Sequence, residues 1–354
     1  MYTITLEVNQ TCNLRCRYCY LENKDSSEMT YDTAVRCIDF ALFNACQHKD
    51  RRIWIDLVGG EPLLSFGLLK KIVSYSDTRA KKLGVNTTFS LTTNGTIITN
   101  EILNRLISNH VHIKISIDGT DTVHNLNRVY ADGNGSHGTV ISNLPFFRAY
   151  EKATGIYMQA THVITQNNYR FLFDSCKYLV ENLGMHIIDT ALDLSYSWSE
   201  SSLDSITEAI EKTILLYLEH KECNTPFLWG MIVDMNNFKS PISPCYKCGA
   251  GLISCYVRTN GDIYGCSANL NVKYKLGSLE SGFNGKMLSD LKRIAEINNE
   301  NCNNCKIYKF CSAKSCAMNS LKCNGSIDFP SPALCSMEKR KYGLYQKYKE
   351  FLRF

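Results

Sequence analysis

Cysteines are the residues of this sequence best placed to do chemistry, because they come in spaced groups rather than singly. Cys12, Cys16 and Cys19 share one run, Thr11-Cys12-Asn13-Leu14-Arg15-Cys16-Arg17-Tyr18-Cys19-Tyr20, with three and then two residues between them. Thiolates so spaced on one loop can converge on a single metal site. A cluster of four irons needs a ligand on each iron, so three protein thiolates leave one iron open to an outside ligand. A zinc site or a set of reactive thiols is the alternative, but structural zinc wants a fourth nearby ligand and this loop supplies none.

Ten of the 17 cysteines lie between Cys245 and Cys335, among Gly, Asn and Ser residues and with little apolar sequence to form a core. Such a segment needs cross-links. The chain opens Met1-Tyr2-Thr3-Ile4, without a basic region followed by an apolar core, so no secretory signal is expected and the thiols should stay reduced in the cytoplasm. Metal clusters are then the available cross-links, with zinc the alternative at the CxxC pair Cys302 and Cys305. Cys37, Cys46, Cys176 and Cys223 have no partner at ligand spacing and are expected to be small core residues.

These groups need a scaffold, and the rest of the sequence describes one. At 354 residues and 44% hydrophobic, the chain can bury a large domain and a smaller one. Its first two-thirds alternates β-branched runs with amphipathic ones, the pattern of a parallel α/β fold. Strands are expected at Tyr2 to Val8, Ile53 to Val58, Thr87 to Thr92, His112 to Ile117, Tyr157 to Ile164 and Ile187 to Ala191. Helices follow at Tyr31 to Cys46, Phe66 to Lys82, Asn100 to Asn109, Gly138 to Glu151, Asn168 to Leu183 and Ser201 to His220, giving six β/α units. Pro226, Pro241 and Pro244 then break the rhythm, which places a linker at 226–244 between domains of 1–225 and 245–354.

Several function classes are excluded. No apolar run approaches the roughly 20 residues that cross a bilayer, so no membrane partner is expected. The net charge of +5 is spread over 39 basic and 34 acidic residues. The local excess at Lys339-Arg340-Lys341 reads as a solvated helix face, and without a basic stripe interleaved with aromatics no nucleic-acid partner is expected.

The first cysteine run resembles the CxxxCxΦC signature of the radical S-adenosylmethionine superfamily, with Tyr18 as the aromatic Φ. The resemblance implies that the cofactor's methionine chelates the open iron of a 4Fe-4S cluster and that a 5′-deoxyadenosyl radical takes a hydrogen atom from substrate. Gly59-Gly60-Glu61-Pro62 resembles the family's GGEP motif at the methionine ammonium, and Thr92-Thr93-Asn94-Gly95 and Ser116-Ile117-Asp118-Gly119 resemble later strand ends. By the same resemblance Ser116 and Arg128 bind cofactor carboxylate and ribose, within a run from His124 to Gly138 that has Asn125 for the family's Asp and His137 for its Ser. The fold implied is a partial (β/α)6 TIM-like barrel. All four motifs fall at C-terminal strand ends, the rim on which β/α barrels build active sites.

The later cysteines resemble the SPASM domain, a small cysteine-rich α+β appendage with two auxiliary 4Fe-4S clusters and here a C-terminal helix. The family has three residues before the fourth cysteine of Cys302-x2-Cys305-x5-Cys311-x4-Cys316, and this chain has four. The resemblance implies Cys245, Cys248, Cys266 and Cys316 for the first auxiliary cluster, with Cys255 the rival of Cys245. For the second it implies Cys302, Cys305, Cys311 and Cys335, with Cys323 the rival of Cys335. The implied cofactors are S-adenosylmethionine and three 4Fe-4S clusters.

Family members of this kind modify peptides or proteins, so the function expected is maturation of a ribosomally made peptide, by thioether or related side-chain cross-linking. A formylglycine-forming oxidase of the sulfatase-maturating kind is the alternative, but its base is an aspartate after the cysteine that Cys266 matches, and Ser267 stands here. A small-molecule radical enzyme or an inactive iron-sulfur protein would also fit these motifs. The expected partners are the precursor peptide and an electron donor such as ferredoxin or flavodoxin. The first strand begins at residue 2, so leader recognition is expected from the barrel, the C-terminal domain or a separate protein.

Overall fold

Alternating and amphipathic runs become strands and helices close to where the pattern puts them. In chain order these are β1 (Tyr2–Glu7), α1 (Tyr31–Gln47), β2 (Arg52–Val58), α2 (Phe66–Leu83), β3 (Asn86–Thr93), α3 (Asn100–Ser108) and β4 (His112–Ser116). A one-turn α4 (Asp121–His124) precedes α5 (His137–Thr154), β5 (Gln159–Ile164), α6 (Leu172–Lys177), β6 (Ile187–Leu192), α7 (Glu200–Glu222), β7 (Leu228–Trp229) and α8 (Gly230–Met235). Then come β8 (Ser254–Val257), β9 (Asp262–Tyr264), β10 (Gly277–Ser278), β11 (Gly282–Phe283), α9 (Gly285–Lys292), α10 (Glu300–Asn303), α11 (Ala317–Asn324) and α12 (Pro332–Tyr348). The structure is a computed structural model that describes residues 1–21, 24–241, 249–292 and 299–352. Among the described residues no helix is long and apolar enough to cross a membrane.

The helices are built from local signals. In α1, Thr30 caps the start by accepting from the Thr33 amide, and Ala34, Cys37, Ile38, Ala41, Leu42 and Ala45 form a buried stripe at helical spacing. The stretch expected as one helix from Asn168 to Leu183 is broken into a 3-10 turn at Tyr169–Phe171, α6, and a π turn at Tyr178–Asn182. The Leu183 amide reaches back to the Tyr178 carbonyl at 3.0 Å, a five-residue step that takes in one residue more than an α turn.

The chain divides into two compact units. The first comprises 1–116, 128–158 and 249–288. In it β1 lies between β2 and β8, parallel to both, with Thr5 opposite Asp56 on one side and Tyr256 on the other. β3 and β4 extend the parallel run, and β9, β10 and β11 continue antiparallel from β8. Strand alternation sends Ile4, Leu6, Ile53, Ile55, Leu57, Phe89, Leu91, Ile113 and Ile115 into the core. The opposite face is polar: Lys114 pairs with Asp56 at 3.0 Å, and the Trp54 indole donates to Ser90 Oγ at 2.6 Å. The short strands at 254–283, sewn onto β1 from about 250 residues away, were not expected from the cysteine-dense sequence.

The second unit comprises 117–127, 159–248 and 289–354. β5, β6 and β7 run parallel, and α12 packs on α7. The described part of the stretch expected as a linker carries β7 and α8. The basic run in α12 is not the solvated face expected. Arg340 reaches Glu200 and Asp204 of α7, each at 2.7 Å, and Lys341 pairs with Glu338, so only Lys339 of the three is exposed. Cys37 and Cys176 are buried as expected, whereas Cys46 is half-buried and Cys223, at the end of α7, is exposed.

A single hydroxyl fixes α5 to the start of β4. Tyr150 is fully buried and donates to the Val111 carbonyl at 2.6 Å. Tyr150→Phe leaves that carbonyl without its donor, and anaerobic urea unfolding should show a loss of about 1–3 kcal/mol. An unchanged midpoint would show that the bond contributes nothing.

Candidate functional site

The loops after β1 and β2 are joined through their backbones. The Gly60 amide donates to the Asn9 carbonyl at 2.9 Å, and the Glu61 amide donates to the Thr11 carbonyl at 2.8 Å. A Cβ on Gly60 would run into the carbonyl oxygens of Gln10 and Thr11, and one on Gly59 into Asn9. Only glycine lets the two chains lie this close. Pro62 opens the 3-10 turn Pro62–Ser65 that follows.

Glu61 is fully buried, and its carboxylate accepts from the Asn94 amide at 2.7 Å, Thr93 Oγ1 at 2.9 Å and the Leu63 amide at 3.1 Å. Burial pushes it up to about 7, against the pull of these three donors. Its side chain is thus committed to tying the loop after β2 to the loop after β3. Asn94 carries the connection onward: its Nδ2 donates to Asn13 Oδ1 at 2.9 Å and lies 3.8 Å from Cys12 Sγ.

The cysteine loop is held on its other side by residues 128–130. The Arg15 amide donates to the Val129 carbonyl at 2.7 Å, and Leu14 bridges to Tyr130. Arg128 is 5% exposed, so it is no surface arginine. Its Nη1 lies 4.0 Å from Cys16 Sγ, and its guanidinium sits 5.1 Å from the centre of the Tyr18 ring. Burial pushes the Cys16 thiol up, opposed first by Arg128 and then by Lys24. Burial likewise raises Cys12. Ser116 ends β4 and is buried, while Asn125 is occupied with Asp121 Oδ1 at 2.6 Å in capping α4.

Three thiols on a half-buried loop, with a cation against one of them, suit a cluster of net negative charge. Among the described residues no three His, Cys, Asp or Glu side chains converge as a single metal ion requires.

Beside this loop lies a network that motif reading missed. Glu7, fully buried at the end of β1, accepts from Tyr256 Oη at 2.6 Å and Gln10 Nε2 at 2.9 Å, with Arg258 Nε at 3.5 Å. Tyr256 Oη stands 3.4 Å from Tyr20 Oη, which neighbours Cys19. The available signal was a carboxylate at an alternating strand position just ahead of the cysteines, where a charge needs partners.

In the second unit, Cys302, Cys305, Cys311 and Cys335 line one cavity of about 430 Å³, with Lys314 and Tyr308. Ile307, Cys311 and Ala313 form a small core beside it, packed by Leu334 and Tyr342. Cys323 is exposed and lines a different cavity, of about 420 Å³, with Tyr196 and Trp198. Cys255 is fully buried on β8, where its Sγ accepts from Tyr2 Oη at 3.5 Å. Cys323 is thus not among the residues lining the cavity of Cys302, Cys305, Cys311 and Cys335. Cys266 is half-buried in the first unit, and Cys316 leads into α11 of the second with Asn319 Nδ2 at 3.1 Å from its sulfur. Cys245 and Cys248 lie outside the described residues.

The glycine contact can be tested directly. Gly60→Ala should push residues 10–11, and with them Cys12, out of place. Iron bound at the cysteine loop should fall well below the wild-type level, with far-ultraviolet circular dichroism retained. Wild-type iron binding in this variant would show that the loop does not depend on the contact.

Residues 6–158 match the family described as the Radical SAM superfamily. The chain is 33% identical over 180 residues to the uncharacterized protein MJ0907 of Methanocaldococcus jannaschii, covering 51% of this chain and 59% of that one. It is 22% identical to the radical SAM cyclopropyl synthase TigE of Paramaledivibacter caminithermalis, over 97% of this chain and 72% of the relative. Among solved structures, anSMEcpe with bound AdoMet and Kp18Cys peptide superposes with a TM-score of 0.78 at 17% identity, covering 99% of this chain and 98% of that one. With the cysteine loop, the glycine turn and the strand ends set as described, residues 6–158 carry a domain similar to the Radical SAM superfamily, and the chain shares the fold of anSMEcpe.

Proposed function

We propose that this enzyme matures a ribosomally made peptide, using S-adenosylmethionine and three 4Fe-4S clusters to form a thioether or related side-chain cross-link. The observation that carries the reading is that Cys302, Cys305, Cys311 and Cys335 line one cavity in the second unit, apart from the cysteine loop of the first. Residues 1–225 then act as the radical SAM partial barrel, 226–244 as the linker and 245–354 as the SPASM domain. Cys12, Cys16 and Cys19 hold the catalytic cluster. Cys245, Cys248, Cys266 and Cys316 hold the first auxiliary cluster, and Cys302, Cys305, Cys311 and Cys335 the second.

When bound, the cofactor and cluster supply a 5′-deoxyadenosyl radical that removes a hydrogen atom from the peptide. The protein's part is position and charge. The backbone around Gly59 and Gly60 receives the methionine ammonium, and Pro62 and the Glu61 carboxylate hold that loop in shape. Asn94 orients Cys12, Tyr18 packs beside the cluster, and Ser116 and Arg128 bind the cofactor's carboxylate or ribose oxygens. Because Arg128 also faces Cys16, it offsets the negative charge of a thiolate-bound cluster.

A peptide substrate is supported by the peptide named with anSMEcpe, and bond formation by the cyclopropyl synthase named among the relatives. Formylglycine formation is disfavoured because Ser267 follows Cys266, and a hydroxyl without an activating partner is a poor proton acceptor at the site where such an oxidation needs one. A precursor peptide and an electron donor of the ferredoxin or flavodoxin kind complete the system, with leader recognition by the barrel, the C-terminal domain or a separate protein.

Anaerobic reconstitution should yield about twelve irons per chain, four for each cluster. Replacing Cys12, Cys16 and Cys19 together by Ala should remove about a third of that iron and all reductant-dependent formation of 5′-deoxyadenosine. Continued cofactor cleavage by that variant overturns the catalytic assignment. With wild-type enzyme and a precursor peptide encoded beside the gene, a cysteine thiol of the peptide should become resistant to alkylation. A peptide that loses no thiol overturns the thioether assignment.

Arg128→Ala should weaken S-adenosylmethionine binding by roughly ten- to a hundred-fold, the worth of one charge-assisted contact. Anaerobic titration of samples matched for iron content measures this. Arg128→Lys should restore only part of the affinity, since an ammonium cannot reproduce a planar two-point contact. Unchanged affinity in the Ala variant would remove Arg128 from the cofactor site.

A further inference from the structure

A strap of the first unit sets one more cation against the cysteine loop. Residues 24–29 fold back along the chain that enters the loop: the Gln10 amide donates to the Ser27 carbonyl at 2.9 Å, the Met29 amide donates to the Val8 carbonyl at 2.8 Å, and Asn9 bridges to Glu28. Met29 is buried and anchors the far end of the strap, while Asp25 Oδ1 accepts from the Ser27 amide at 2.7 Å and shapes its turn. Lys24 is thereby brought to the loop, where its Nζ donates to the Leu14 carbonyl at 3.0 Å. Leu14 lies midway between Cys12 and Cys16, and its own amide points at Cys12 Sγ at 3.4 Å.

Arg15 and Arg17 of the loop are also cations, but both are exposed, so water and salt screen them. Lys24 is half-buried. Among the described residues it forms no ion pair with a carboxylate, and the acid next to it, Asp25, gives its carboxylate to Ser27 instead. Burial pushes the Cys12 and Cys16 thiols up, and the one opposing influence common to both is Lys24. The Leu14 amide otherwise acts at Cys12 and Arg128 at Cys16, while the Glu61 carboxylate, already held by three donors, pushes Cys12 the other way.

Three thiolates around a cluster leave net negative charge on the loop, and uptake of an electron adds one unit more. A fixed and poorly screened ammonium favours the more negative state, and net charge is among the quantities that set the potential of such a cluster. We propose that Lys24 raises the reduction potential of the cluster held by Cys12, Cys16 and Cys19, so that it is more readily reduced. Lys24 acts through the charge of the loop, as a positioning residue, and the strap at 24–29 is what holds it there. The inference rests on the cluster proposed at these three thiols and adds to it the residue that tunes it. Removing this one charge should shift the equilibrium between oxidised and reduced cluster roughly tenfold, which is about 59 mV for one electron.

The test is a redox titration of reconstituted full-length enzyme followed by electron paramagnetic resonance. The variant with Cys12, Cys16 and Cys19 all replaced by Ala gives the signal of the other clusters, and subtracting it leaves the signal of the cysteine loop. Lys24→Gln keeps a side-chain donor and loses the charge, whereas Lys24→Arg keeps both. The midpoint should fall in Lys24→Gln by about the 59 mV that a tenfold shift represents, and stay at the wild-type value in Lys24→Arg, with iron content unchanged in both. An unchanged midpoint in Lys24→Gln with full iron overturns the proposal. A fall shared by the Gln and Arg variants makes shape rather than charge the cause, and overturns it too. Loss of loop iron from Lys24→Gln assigns Lys24 to holding the loop together and counts against a tuning role. Wild-type enzyme whose iron content and spectrum match those of the triple-alanine variant has no cluster at these thiols; that result overturns the cluster assignment itself, and iron analysis tells it from the others.

Discussion

Much of the site depends on one backbone contact, the close approach of residues 59–61 to residues 9–11. Two amide-to-carbonyl hydrogen bonds, Gly60 to Asn9 and Glu61 to Thr11, clamp the loop after β2 against the chain that enters the cysteine loop. The approach is open only to glycine, because side-chain carbons there would meet carbonyl oxygens. Once it is made, Glu61 faces Thr93 and Asn94, and Asn94 faces Asn13 and Cys12. The position of the thiols is thereby set through three strand ends in succession.

A second constraint is the polar inner face of the first unit. Barrel interiors are ordinarily filled by branched apolar side chains. Here the strands turn Glu7, Asp56, Ser90 and Lys114 to one face, and satisfy them with one another and with Tyr256, Gln10 and Trp54. Charges can stand there because they are paired. Stability must therefore come chiefly from the opposite, helix-covered face, where Ile4, Leu6, Ile53, Ile55 and Leu57 are buried.

Local pattern was enough for elements whose stabilising contacts are close in sequence. β1 to β6 and the helices between them follow period and capping, and the cysteine, glycine and asparagine loops follow strand ends. The features missed depend on distant partners. β8 pairs with β1 across about 250 residues of sequence, and nothing in Ser254-Cys255-Tyr256-Val257 names that partner. The resemblance made Cys255 the rival of Cys245, and nothing in the sequence near it announced the contact its sulfur makes with Tyr2. Arg340 looked like a solvated cation because Glu200 and Asp204, which neutralise it, lie on another helix. Glu7 gave a signal, but its meaning required Tyr256 and Arg258.

The burial of some thiols and not others bears on how metal is loaded. Cys255 and Cys176 are each pushed up to about 12 by burial, with only a hydroxyl neighbour, Tyr2 or Thr213, pulling the other way. They stay protonated, and a protonated thiol neither binds iron nor attacks an oxidant. Cys16 has Arg128 and Lys24 to favour its thiolate. Burial without a neighbouring cation thus sets Cys255 and Cys176 apart from Cys16. An unfolded chain has no such distinction, since every thiol there titrates near the free-cysteine value of about 8.5. Iron arriving before Cys37 and Cys176 are buried would meet two more candidate thiols than the folded chain offers.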